Sequence, residues 1–212
     1  MVAEPGLRER KKQATRQRIS DVATVLFAER GFDNVTVAEV ADAANVSKMT
    51  VFNYFPHKEE LIFDRSDEAV ELVAAALRGR PAGEPVVRSL HRLLLDLIAS
   101  GHPFGGVGDN LPHFWRIVKD SPTLRNAARQ AADQQEHQLV TLLREHVEPQ
   151  PGDPPAELVA ALLVALYRTI HRQAVRLGMA GRPADEVRPR IVALVDQGFG
   201  LLETSLRDYG AH

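Results

Sequence analysis

Ile19, Val22, Ala23, Leu26 and Phe27 fall at i, i+3, i+4, i+7 and i+8, which aligns them as one apolar stripe along a helix. Spacing of this kind runs through almost the whole chain. No stretch alternates apolar and polar residues over a strand's length, and no tight turn joins two apolar runs as a hairpin requires. An all-α fold follows. Its punctuation is local. Gly31 stops the first helix. Thr36 opens "TVAE", a capping box in which the hydroxyl takes the Glu39 amide while Glu39 reaches back, and Val37, Val40, Ala41 and Ala44 form the inner face of a short helix. After a turn at Ala44–Asn45–Val46, Ser47 is a good N-cap for a second short helix, which must end before Pro56. A longer helix is expected from Lys58 through Leu61, Ile62, Val70 and Leu77. "RGRPAGEP" (78–85) is a Pro/Gly break that reads as a domain boundary, and helices follow near 86–100, 110–119, 122–147, 156–178 and 184–207.

Composition mainly excludes. With no cysteine there is no disulfide, thiolate zinc site or cysteine nucleophile. The eight histidines show no HExxH or paired spacing, so no metal and no cofactor are expected. G-x-S-x-G and the phosphate-binding G-x-x-x-x-G-K-[ST] are both missing, which argues against an enzyme. No run of about 18 apolar residues and no signal-peptide pattern are found, so neither a membrane span nor secretion is expected, and the chain is assigned to the cytoplasm. The net charge of −2 is uninformative, but Arg8, Arg10, Lys11, Lys12, Arg16 and Arg18 against Glu4 and Glu9 leave the first twenty residues basic, as an arm for a polyanion would be.

Two short capped helices joined by a turn make a helix-turn-helix, whose second helix lies in the DNA major groove. Val46, Val51 and Phe55 would pack inward, leaving Lys48, Met49, Thr50, Phe52, Asn53 and Tyr54 outward beyond the cap Ser47. An asparagine amide can read a base edge, and a threonine can bond a base or touch a thymine methyl, so Asn53 and Thr50 are the base-reading candidates. Lys48 can meet guanine or phosphate. Tyr54, His57 and Lys58 sit where backbone phosphate would run, and Thr36 offers a phosphate a hydroxyl at a helix N-terminus.

The segment 15–62, "TRQRISDVATVLFAERGFDNVTVAEVADAANVSKMTVFNYFPHKEELI", resembles the DNA-binding domain of TetR-family transcriptional regulators through its basic start, "LFAERGFDNVTV", "VADAANVS" and "VFNYFPHKEELI". The resemblance implies DNA contacts at Thr36, Lys48, Thr50, Asn53, Tyr54 and Lys58. Three positions depart from the common pattern: Phe52 stands where tyrosine is frequent, Tyr54 where histidine is, and His57 where serine is, which puts the operator sequence in doubt. The implied domains are a helix-turn-helix domain with its basic arm (1–60) and a helical ligand-binding and dimerisation domain (61–212). The implied function is a ligand-responsive homodimeric repressor that leaves its operator when a small molecule binds. An activator of the same family, or a helical-bundle enzyme or carrier, are the alternatives. An apolar or aromatic effector with one polar handle would suit His102, Phe104, His113, Phe114, Trp115, Tyr167 and His171, the last two being i, i+4 on one helix. The last two helices have broad apolar faces and would form the dimer interface, anchored by Leu166, Ile170, Leu194 and Phe199.

Overall fold

A computed structural model describes residues 6–63, 65–108 and 111–211, and among these it holds nine α-helices and no strand. The chain divides into two compact units, Met1–Asp64 with Ile117–Ala128, and Arg65–Arg116 with Arg129–His212.

In the first unit α1 (Leu7–Arg30) carries the apolar stripe, and Ile19, Ala23 and Phe27 along it are fully buried. The helix ends where Gly31 turns to φ 83° with its amide on the Phe27 carbonyl (2.9 Å). A 3-10 turn (Phe32–Asn34) leads to α2 (Val37–Ala43) and α3 (Lys48–Tyr54). Val35, Val40, Val51, Phe55 and Leu61 close the core around Phe27. Residues 117–128 join this unit through buried Leu124 and a Ser121 hydroxyl that donates to Asp33 (3.1 Å).

Two expectations need correction here. The basic segment is the first turns of α1, not an arm; residues 1–5 and the Arg8 side chain lie outside the described residues. The single helix expected from Lys58 is a 3-10 turn (Lys58–Leu61) followed by a separate helix, α4 (Ser66–Arg78). The Ser20 hydroxyl donates to the Leu61 carbonyl (3.2 Å), an acceptor that a continuing helix would offer to the amide four residues on.

The second unit packs α4, α5 (Val86–Ala99), a 3-10 turn (Pro103–Gly105), parts of α6 (Leu111–Asp120) and α7 (Pro122–His146), α8 (Ala156–Met179) and α9 (Ala184–Ser205). α5 is the central helix, against α4, α9 and the 3-10 turn. Gly105 lets that turn approach α5, since a Cβ there would fall 2.7 Å from the Leu97 and Ile98 backbone. α8 and α9 also pack closely, and a Cβ on Gly198 would fall 2.2 Å from Leu166 Cδ1. By length and composition α8 alone among the described helices could cross a bilayer, with mean hydropathy 1.2 in its most apolar window; Val159, Ala160, Leu163 and Ile170 along it are buried in this core.

This packing corrects two of the four expected dimer anchors: Ile170 and Phe199 are 2% and 5% exposed inside their own subunit, whereas Leu166, over Gly198, and Leu194 stay half-buried at the edge of the same core. The broad apolar faces of α8 and α9 are met largely by helices of the same chain. What remains outward is narrower: Leu158 and Leu162 on α8, and Leu201 on α9, which is 74% exposed.

Candidate nucleic-acid interface and interior cavity

α3 is positioned by local chemistry at both ends. At its start Ser47 Oγ accepts the Thr50 amide (3.0 Å) and shares a hydrogen bond with the Thr50 hydroxyl (2.7 Å). Before it, Asn45 adopts φ 52°, the one left-handed non-glycine among the described residues, while the Val46 amide returns to the Ala41 carbonyl (3.0 Å). Asparagine tolerates this conformation, which bends the chain between α2 and α3. At the far end Arg16 Nη1 donates to the Tyr54 carbonyl (3.0 Å), and its guanidinium lies 4.5 Å from the Phe55 ring centroid. One basic residue of α1 thus caps the C-terminus of α3, where unpaired carbonyls favour a cation.

The flank so presented carries Lys48, Met49, Phe52 and Asn53, all exposed, with Thr50 and Tyr54 half-buried. Lys48 Nζ stands 5.7 Å from the Phe52 ring centroid. Val51 and Phe55 are buried as expected, whereas Val46 is only half-buried. His57 is exposed beyond the helix, and Arg10, Lys11, Lys12 and Arg18 are exposed along α1.

Two expected phosphate ligands are engaged internally. The Thr36 hydroxyl donates to Glu39 Oε2 (2.8 Å) and accepts the Glu39 amide (3.2 Å), while Glu39 Oε2 accepts the Thr36 amide (2.8 Å), which completes the capping box. Lys58 turns inward. Its ammonium donates to the Phe32 carbonyl and stands 4.1 and 5.5 Å from the Phe32 and Phe27 ring centroids. Burial pushes its pKa down, with Asp33, Glu39 and Glu59 opposing. Sequence spacing could not foresee this, because the acceptor lies 26 residues away.

Glu39 gives the capping box a pH dependence. The Thr36 backbone amide, then Arg30 at 2.5 Å and the Thr36 hydroxyl, hold its carboxyl at about 2 against an ordinary 4.5. The folded carboxyl binds its proton less readily than the unfolded one, so the stabilisation is complete above about pH 4.5 and is lost as pH falls toward 2. Glu39→Gln, which keeps a capping-box side chain, is expected to flatten that part of the unfolding-midpoint profile. A profile as steep as the wild type's would assign the acid sensitivity to other carboxylates.

In the second unit a half-open cavity of about 160 Å³ is lined mostly by aliphatic side chains of α4, α5, α7 and α8, with Phe199 of α9. Of the seven expected ligand residues, only Phe104 and Tyr167 line it. The Tyr167 hydroxyl donates to the Phe104 carbonyl (3.1 Å), and burial raises its pKa to about 12. His102 lies behind Phe104, accepting the Phe104 amide on Nδ1 (3.3 Å) with Nε2 on Glu68 (3.2 Å). Trp115 and His171 pack edge to face at 5.2 Å, with Phe114 beside Trp115. Burial holds His171 down at about 4, so its ring is neutral, and both His171 Nδ1 and Trp115 Nε1 are buried with no hydrogen-bond partner among the described residues. His113 is exposed. The lining residues that sequence reasoning missed include Leu90, Leu93, Leu94 and Leu97 of α5 and Gln135 and Gln138 of α7. Their spacing marked an apolar stripe, and a cavity stripe looks like any core stripe until the facing helices are in place. Phe199, expected at the dimer interface, lines the cavity instead.

A short capped helix held at both ends, with its aromatic, amide and ammonium flank in solvent, defines the class: a helix-turn-helix protein with a separate all-helical unit. Comparison with known proteins makes the class specific. The family described as "Bacterial regulatory proteins, tetR family" matches residues 19–64. The transcriptional regulator TcmR of Streptomyces glaucescens is 29% identical over 80% of this chain and 76% of its own length. The transcriptional repressor KstR2 of Rhodococcus jostii is 30% identical over 39% of this chain and 45% of its own length. Among solved structures, GusR of Salmonella enterica superposes over 97% of this chain and 98% of its own with a TM-score of 0.55 at 19% identity, a likeness of fold. Residues 19–64 thus match the TetR family of bacterial regulatory proteins, and the longer chain is similar to the transcriptional regulator TcmR.

Proposed function

We propose that this regulator is a homodimeric, cytoplasmic repressor that grips its operator through α3 and leaves it when a small molecule enters the cavity of the second unit. It is the outward flank of α3 that carries this reading. Asn53 and Thr50 read base edges, Met49 and Phe52 meet thymine methyls, and Lys48, Tyr54 and His57 contact the backbone beside the basic turns of α1. Ser47 and Thr36 act as caps that orient their helices, and Lys58 as an internal clamp. Two copies would pair through Leu158, Leu162 and Leu201, whose exposure leaves apolar surface that a second copy can cover. A ligand that binds better to a dimer with another spacing of its two α3 helices lowers operator affinity by that difference alone.

Selection of bound duplexes from a random pool tests this function. Paired inverted half-sites centred about 34–36 Å apart, or a multiple, are expected; a pool without repeated half-sites overturns the dimeric reading. Leu162→Glu with Leu201→Glu should sediment as a monomer. A persisting dimer would place the interface elsewhere.

A further inference from the structure

The cavity wall has almost no charge chemistry. Its polar groups are the half-buried amides of Gln135 and Gln138, one turn apart on α7, and the Tyr167 hydroxyl. The rest is aliphatic or aromatic, with no Asp, Glu, Lys, Arg or His among the described residues of the lining. Behind the Phe104 ring lies Arg65, at 5.6 Å from the ring centroid, and it is paired with Glu68 through two hydrogen bonds of 2.5 and 2.7 Å. An ionised ligand would lose much of its hydration against this apolar wall without gaining a counter-charge. Its volume suits one ring: at about 160 Å³ the half-open cavity is comparable with the roughly 150 Å³ apolar cavity that takes up benzene.

We propose that the cavity selects an uncharged ligand of about one aromatic ring carrying a single neutral hydrogen-bonding group, and rejects carboxylates and amines of the same shape. This rests on the cavity being the effector site of the regulator described above. Leu90, Leu94, Leu139 and Leu163 hold the ring, and the α7 amides take the polar group. Tyr167 donates its proton to Phe104, so toward a ligand its oxygen can only accept.

Three probes of one shape separate the possibilities: p-cresol, 4-methylbenzoate and 4-methylbenzylamine, each at millimolar concentration with the full chain. p-Cresol is expected to raise the thermal unfolding midpoint by about 2–4 °C, and the two ions to leave it unmoved. Val164→Phe, or Leu93→Phe should the first fail to fold, fills the cavity and is expected to abolish the p-cresol shift. Stabilisation by either ion equal to that by p-cresol, a p-cresol shift that survives the filled cavity, or no shift with any probe would each overturn the inference. Duplex binding is measured on the same samples. A chain that binds DNA but ignores p-cresol refutes the ligand class alone, whereas a chain that binds no duplex refutes the regulator reading.

Discussion

Phe27→Ala is expected to remove about 3–5 kcal/mol from the DNA-binding unit, the range for emptying a buried phenylalanine site. The ring is fully buried, meets Phe32 at 5.0 Å, and lies beneath the inward-turned ammonium of Lys58. Alanine would leave a void between α1 and the following turn and remove one aromatic face from that cation. Domains of ordinary stability hold only about 5–15 kcal/mol in total, so a loss of this size leaves the helix-turn-helix partly unfolded at 37 °C and duplex binding largely gone. Chemical denaturation followed by helical circular dichroism checks it. The single tryptophan, Trp115, belongs to the second unit, so its fluorescence reports there while the circular dichroism sums both units. A circular-dichroism midpoint and duplex affinity matching the wild type would remove Phe27 as the keystone of this core.

What could be read from the sequence is what is set within a few residues. The Thr36–Glu39 capping box, the Ser47 cap, the stop at Gly31 and the end of α3 before Pro56 each depend on neighbours three or four positions away, and each forms as expected. The all-α fold was legible for the same reason: helical periodicity is a local property. What escaped was set by distant partners. The Leu61 carbonyl, at the break after Lys58, accepts the Ser20 hydroxyl from 41 residues away. The Lys58 ammonium finds a carbonyl on the preceding 3-10 turn. Ile170 and Phe199 have the same apolar spacing whether they face a second copy or their own subunit, and only the packing of α5, α8 and α9 separates the two cases. Among the candidate ligand residues, Phe104 and Tyr167 line the cavity, whereas Trp115, Phe114 and His171 form an aromatic cluster outside its lining.

Asn53 carries the largest expected effect on specificity. Its side chain is exposed on α3, and an asparagine amide pairs with an adenine edge through two hydrogen bonds that no other base offers in the same pattern. Truncation leaves the backbone contacts of Lys48, Tyr54 and α1 in place, so affinity for random duplex should barely change. The direct measurement is the ratio of operator to random-duplex affinity for Asn53→Ala and wild type at one fixed salt concentration, because phosphate contacts make each affinity strongly salt-dependent. If α3 reads DNA through this flank, the ratio falls by about 1–3 kcal/mol, all of it from the operator arm. An unchanged ratio, or equal loss on both duplexes, would contradict it.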